Sequence, residues 1–424
     1  MKGTCKVYYK GQELWFDLPE GWNLVASAEP KDASPLEDVA ARVRELLARP
    51  LGMPPLEEVV RNLPHTRTVI ITDDAERPTP AGQVLEPLWA ELNRLGIPNE
   101  AIDVVIGRGT HRVPTQEEIR AKLGARVVDR LRVTVHDPDA PDLVHVGTTR
   151  RGTEVRVNRL VAEAALVIGI GLANPHYFAG YGGGPKLILP GVCSRQTICQ
   201  NHAWIRDPNA RTGVTHGNPI WEDMLEAARL ARLTYKLDVV LNTQQAIHQV
   251  FGGEVEAVQG AAAEVIRDLY GVPVPGLADV TVSSAHPLEF NFIQSGKAVM
   301  AADEVTKPGG TIVLVSACPG GFGPLLYETL SQRPEPDEVI GWMLEGKANP
   351  TGGTMASRIR RIAQSKRVVV VSEGLPAEQL ADMGFAHAAS VEEALAQVAA
   401  EDGRRDVVVL PAGGNTFAYI PAEA

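Results

Sequence analysis

The chain has 424 residues, a formal net charge of −11, and 44% hydrophobic and 22% charged residues. That length exceeds what one core organises, roughly 250–300 residues, so two domains are expected. The acidic balance excludes phosphate-backbone binding as a main task, since that needs a basic stripe, and no nucleic-acid partner is expected.

The opening MKGTCKVYYKGQELWF has no apolar core of signal-peptide length. Cys5, Cys193, Cys199 and Cys318 lack CxxC spacing, which fits reduced thiols better than a disulfide framework. The most apolar run, Leu160 to Ala173, is broken by Glu163 and too short to span a bilayer. These features predict a soluble, cytoplasmic protein without a membrane partner.

Thr4 to Tyr9 and Glu13 to Leu18 read as strands joined in a hairpin through Lys10-Gly11. Ser34-Pro35-Leu36-Glu37 has a capping-box pattern that predicts a helix running to Leu47. The β-branched run Thr68 to Thr72 predicts a strand buried on both faces. A helix over Val84 to Leu95 and a strand over Ala101 to Ile106 follow, then a strand over Ala165 to Gly169. Helices over Ile220 to Arg232 and Val255 to Tyr270 flank a strand pair, Lys236 to Leu241 and Ala246 to Phe251.

Gly271-Val-Pro-Val-Pro-Gly276 marks a boundary. Beyond it, strands at Asp279 to Ser283, Thr311 to Ser316 and Arg367 to Val371 alternate with helices at Gln294 to Glu304 and Val391 to Ala399. The expectation is an α/β fold of two α/β domains with the active site in the cleft between them. Residues 1–271 would form the cofactor-binding domain, completed by the strand Asp406 to Leu410 and the tail 406–424, and residues 277–405 the second.

Three predicted strands end in polar loops: Asp73-Asp74-Ala75-Glu76-Arg77-Pro78, Gly107-Arg108-Gly109-Thr110-His111, and the segment from Asn174 to His202. Ligands bind beyond the carboxyl ends of strands in open α/β sheets. The third segment holds His176, Gly182, Gly183, Gly184, Lys186 and His202. Successive glycines let backbone N–H groups converge on an anion such as a phosphate, and the adjacent lysine offers a charge or a nucleophilic amine. The three histidines fit two arrangements. One is a three-histidine zinc site of the hydrolytic type. The other is one metal ligand with two acid/base groups. Arg77 offers a planar fork for a carboxylate, and Gln294 and Lys297, three apart, share a helix face.

Asp74-Ala-Glu-Arg77-Pro78, Gly109-Thr-His111, Pro175-His-Tyr-Phe-Ala-Gly180, Gly183-Gly-Pro-Lys186, Ile188-Leu-Pro-Gly191, His202 and Gln294-Ser-Gly-Lys297 stand in one order. In that order they resemble the nickel-pincer lactate racemase family, over nearly the whole chain. The resemblance implies a nickel pyridinium-3,5-bisthiocarboxylic acid mononucleotide, tied covalently to Lys186 and ligated through nickel by His202. It further implies His111 and His176 as paired acid/base groups. Arg77, Lys297 and Gln294 would orient a small 2-hydroxy acid, and Asp74 would support the cofactor or Arg77. The reaction implied is racemisation by reversible hydride transfer at C2, with cofactor-biosynthesis proteins as partners.

Three positions depart from the lactate-racemising pattern: Pro185 replaces Arg, Ile293 replaces Tyr, and Pro350 to Arg361 holds no Trp. Arg358 and Arg360 in that stretch suggest a distal carboxylate, with malate leading. The alternatives are a zinc hydrolase built on His111, His176 and His202, and a non-catalytic nucleotide-binding protein.

Overall fold

The computed structural model describes residues 4–27, 29–63, 67–399, 403 and 405–421. The chain forms two compact units: Asp32–Leu269, and Met1–Lys31 together with Tyr270–Ala424.

The unit Asp32–Leu269 is built on a six-stranded sheet. Its order is Ile247–Gly253, Leu233–Leu241, Leu166–Leu172, Thr68–Asp73, Ile102–Gly107, Arg132–Val135. All neighbours are parallel except the edge pair Leu233–Leu241 and Ile247–Gly253. Every residue of Thr68–Asp73, Ile102–Gly107 and Leu166–Leu172 is buried, as central strands covered on both faces require. Helix Ala81–Arg94 lays Ala81, Val84, Leu85, Leu88 and Leu92 on the sheet at three- and four-residue spacing. Residues 34–36 do not start a helix. The Leu36 amide donates to the Ile247 carbonyl at 2.7 Å, and the Ser34 carbonyl lies 2.7 Å from His248 Nδ1. That segment is drawn beside the edge strand, so the helix begins at Val39, capped by Asp38.

The second unit has its own parallel sheet, ordered Ala386–Ala388, Arg367–Val371, Thr306–Val315, Ala278–Ser284, Asp406–Leu410, Asn23–Ser27. This corrects the expected domain limits at both ends. Asp406–Leu410 does not complete the first unit; it pairs with Ala278–Ser284 on one side and Asn23–Ser27 on the other. Residues 1–31 therefore belong with the C-terminal unit. The reason is apolar complementarity: Val407 and Val409 join Val280, Val282, Val313, Val315, Val369 and Val371 in one core. Cys5, Val7 and Phe16 of the hairpin Thr4–Tyr9/Gln12–Asp17 cover that core. The tail strand Phe417–Tyr419 pairs with Gly271–Pro273, so the expected boundary stretch is itself a strand. Residues 422–424 of the expected 406–424 segment lie outside the described residues. Among the described residues no helix is long and apolar enough to cross a membrane.

Candidate functional site

Strand Thr68–Asp73 lies between Ile102–Gly107 and Leu166–Leu172, so the loops following all three strands emerge side by side. Asp73 ties two of these ends together. Its Oδ2 accepts from Thr79 Oγ1 at 2.6 Å and from the Leu172 amide at 3.0 Å, while Oδ1 faces Lys122 Nζ at 2.7 Å. Lys122 Nζ also donates to the Arg77 carbonyl at 3.0 Å, fixing the backbone that carries the Arg77 side chain.

The next residue, Asp74, is buried and lies 2.7 Å from His111 Nδ1 through Oδ2. Its Oδ1 accepts from the Glu76 amide at 2.9 Å. Burial alone would push the Asp74 carboxyl up. The hydrogen bond and charge of His111, the charge of Arg77 and the Glu76 amide outweigh burial and hold it below the usual carboxylate range. An ionised Asp74 only accepts, so when the His111 ring is neutral its proton is on Nδ1 and its lone pair on Nε2. Asp74 thus supports His111 directly. The His111 loop is anchored in turn, because the Gly109 amide donates to the Gly191 carbonyl at 2.9 Å.

His176 sits in a two-residue ladder in which Pro175 faces Tyr181 and His176 faces Gly180. The Ala179 amide donates to His176 Nδ1 at 3.4 Å, which leaves the proton of a neutral ring on Nε2. As neutral rings, His111 and His176 are favoured in opposite tautomers by these two contacts.

Phe178 is the buried hub of this region. Its ring meets His176 edge-on at 4.5 Å and His202 at 4.8 Å, and Lys186 Nζ lies over it at 4.9 Å from the centroid. Lys186 and His202, sixteen positions apart in sequence, thus share one aromatic wall. His202 closes helix Arg195–His202 and is buried. Burial pulls its imidazole well below the usual histidine value, and the charges of Lys186 and His111 act in the same direction. The ring is neutral and able to donate a lone pair.

In the loop expected to cradle an anion with Gly182, Gly183 and Gly184, two of the three amides already have partners. The Gly182 amide donates to the Asn174 carbonyl at 2.7 Å, and the Gly184 amide donates to Asp238 Oδ2 at 2.7 Å. Both amides are used inside the fold. The glycines answer a packing need. A Cβ on Gly183 would meet Asp238 Oδ1 at 2.6 Å, and one on Gly184 would meet Gln259 Oε1 at 1.6 Å. Below the loop, Asp238 pairs with Lys236, and both side chains are fully buried.

In the other unit, Asn291 caps helix Phe292–Asp303. Gln294 and Lys297 lie three apart in its first turns, both half-buried. Arg358 and Arg360 are not available for a distal carboxylate, which corrects that expectation. Arg358 is buried against Asp303 and Glu304 at 3.3 and 3.4 Å, and Arg360 Nε donates to the Pro334 carbonyl at 3.0 Å. Helix Pro350–Ser365 presents them to the protein interior.

The three-histidine zinc site is also corrected. Among the described residues, no three His, Cys, Asp or Glu side chains are grouped so as to hold a metal ion. The sequence reading missed Phe178, Asn201, Asp223, Asp238 and Gln259, which shape the site from below. Asn201, adjacent to His202, and Phe178, inside the Pro175–Gly180 motif, carried a positional signal; Asp223, Asp238 and Gln259 come from distant segments.

Residues 9–213 match the lactate racemase N-terminal domain and residues 275–417 the lactate racemase C-terminal domain. The chain is 32% identical to lactate racemase of Lactiplantibacillus plantarum over 381 residues, 88% of this chain and 89% of that one. It is 31% identical to lactate racemase of Thermoanaerobacterium thermosaccharolyticum over 403 residues, 92% of this chain and 93% of that one. The lactate racemase apoprotein structure from the latter organism matches with a TM-score of 0.87 at 29% identity, covering 98% of this chain and 100% of that one. A Thermotoga maritima protein shares the fold, with a TM-score of 0.65 at 17% identity over 92% of this chain and 100% of its own. The chain belongs to the lactate racemase family.

Proposed function

We propose that the protein is a racemase of a 2-hydroxy acid, working by reversible hydride transfer with a nickel-pincer nucleotide held at Lys186 and His202. The observation that carries this reading is that Lys186 and the buried His202 meet one aromatic ring, Phe178, in a chain of the lactate racemase family. His202 offers one nitrogen lone pair, and no cluster of three ligating side chains is present among the described residues. A metal held by one protein ligand must bring its other donors with it, which fits a metal already chelated by an organic group. Lys186 Nζ lies over the same Phe178 ring that His202 meets, which supports reading it as the tether. When bound, that group supplies a reversible hydride acceptor for C2 of the substrate.

The remaining work falls to the chain's own residues. His111, its Nδ1 proton held by Asp74, turns a bare Nε2 to accept the hydroxyl proton as C2 becomes a carbonyl. His176 is the second acid/base group: protonated to imidazolium, it returns a proton to the carbonyl oxygen as hydride comes back to the other face. A two-base exchange needs one neutral imidazole to take the hydroxyl proton and one imidazolium to return a proton, and the two roles swap with the enantiomer. Arg77 supplies a fork for the substrate carboxylate.

The substrate reading stays at the level of a 2-hydroxy acid. Malate lost its motivating residues when Arg358 and Arg360 proved committed to Asp303, Glu304 and Pro334. The test is a panel of C2-deuterated lactate, malate, 2-hydroxyglutarate and phenyllactate, with protein from a host that makes the cofactor. At least one acid should racemise with deuterium retained at C2 in both enantiomers. Arg358→Ala should leave the substrate ranking unchanged. Exchange of the C2 deuterium into water would replace hydride transfer with proton abstraction.

A further inference from the structure

His202 Nδ1 lies 3.0 Å from Asn201 Oδ1. The orientation of that amide is forced by its other end. Asn201 Nδ2 donates to the Ile220 carbonyl at 3.1 Å and to Asp223 Oδ2 at 2.9 Å. Turning the amide over would set its oxygen against a carbonyl and a carboxyl oxygen, two acceptors facing a third. Asp223 is held just as firmly. Thr149 Oγ1 donates to its Oδ1 at 2.5 Å and Thr153 Oγ1 to its Oδ2 at 2.8 Å. The two threonines brace each other, since the Thr153 amide donates to Thr149 Oγ1 at 3.1 Å and the Thr149 amide to the Thr153 carbonyl at 3.0 Å. Asn201, Asp223, Thr149, Thr153 and His202 are all less than 5% exposed, so water does not compete for these bonds.

We propose that the buried chain Thr149/Thr153–Asp223–Asn201 is a positioning device for His202. It fixes the ring rotamer and the Nδ1–H tautomer, so that Nε2 alone carries the ligating lone pair. The inference rests on the reading of His202 as the nickel ligand. The chemistry is that of an outer-shell acceptor on a metal-bound histidine, which orients the ring and holds its proton on the far nitrogen. Asp223 acts through Asn201 and touches neither metal nor substrate. The carboxylate is set one residue further out than in a direct carboxylate–histidine pair. The histidine thus sees a neutral amide oxygen, and the ring is oriented without a formal charge beside it. Helix Pro219–Leu230, which carries Asp223, is capped by Asn218, whose Nδ2 donates to the Phe178 carbonyl at 2.8 Å. One helix therefore positions both the ligand ring and the aromatic wall beside it.

The test uses two readouts on Asn201→Leu and on the milder Thr153→Val, with thermal unfolding to confirm that each variant is folded. In ¹⁵N-histidine-labelled apoprotein, assigned with His202→Gln, the wild-type ring should show the Nδ1–H tautomer. Asn201→Leu should show a mixture or the reverse, and Thr153→Val a partial change. In holoprotein, nickel retention during dialysis should fall about 10–100-fold for Asn201→Leu and less for Thr153→Val. Wild-type nickel lost in step with both variants unchanged in tautomer would overturn the inference. Absence of nickel from wild type, or its full retention in His202→Ala, would overturn the ligand reading instead, while the tautomer measurement would still decide the positioning role.

Discussion

Asp74 and His111 meet at 2.7 Å, and the acid–base reading depends on that bond more than on any other. The other Asp74 oxygen is already claimed by the Glu76 amide at 2.9 Å. In Asp74→Asn the amide oxygen would stay with that donor and turn its NH2 group toward His111 Nδ1. The ring would then have to accept at Nδ1 and carry its proton on Nε2, the wrong tautomer for a base. Racemisation should fall on the order of 10²–10⁴-fold in Asp74→Asn and in His111→Ala, with nickel retained in both. Turnover near wild type in Asp74→Asn would remove His111 from the base role. The sequence made the candidate residues legible because each follows a β-branched strand in a polar loop. It left the partnership of Asp74 open between the cofactor and Arg77, since hydrogen-bond geometry across 37 positions leaves no local trace.

At the scale of elements, the Gly182–Gly184 turn answers a packing need that the local sequence did not show. Three glycines before a lysine mark a loop that must pass close to something, and the neighbour proves to be Asp238 and Gln259, 54 and 75 positions on from Gly184. Gly184 also has φ +50°, a left-handed conformation that costs an L-residue about 1–2 kcal/mol. Gly184→Ala should therefore destabilise by more than that strain alone, because its Cβ would sit 1.6 Å from Gln259 Oε1. Adding Gln259→Ala should recover most of the clash and leave the strain, read as two melting temperatures. Equal stability of the single and double variants would mean that the loop relaxes away from Gln259. The central strands were readable for the opposite reason. Runs such as Thr68–Asp73 are buried on both faces, and that burial writes itself locally as unbroken β-branched sequence.

Across the whole molecule, the two units use the same device, a mainly parallel sheet, but assign the chain ends unexpectedly. Both Asn23–Ser27 and Asp406–Leu410 join the C-terminal sheet, a pairing of strands 383 positions apart. Local patterning shows that each run is a strand but not which sheet it completes. Global stability should also carry a mark from His136, which is buried and lies 2.9 Å from the Cys193 carbonyl through Nε2. Burial pushes its imidazole down to about 4, and the charge of Arg108 adds to that. The unfolded chain protonates this group from about pH 6.5 downward, while the folded chain resists until about pH 4. Below pH 6.5 the unfolded state thus binds more protons, and stability falls as the pH drops. The loss across that window is about 3 kcal/mol. His136→Gln should flatten this part of the stability curve in urea titrations between pH 7 and 4; an unchanged slope would assign the acid sensitivity elsewhere.

The claim at the centre of the account is that Lys186 is the tether of a nickel-bearing nucleotide whose metal His202 ligates. The most direct measurement is the intact mass of the Lys186-containing peptide, with metal analysis, on protein from a host able to make the cofactor. The account predicts an adduct on Lys186, close to one nickel per chain, and loss of both adduct and activity in Lys186→Ala. Unmodified Lys186 in fully active enzyme would contradict it.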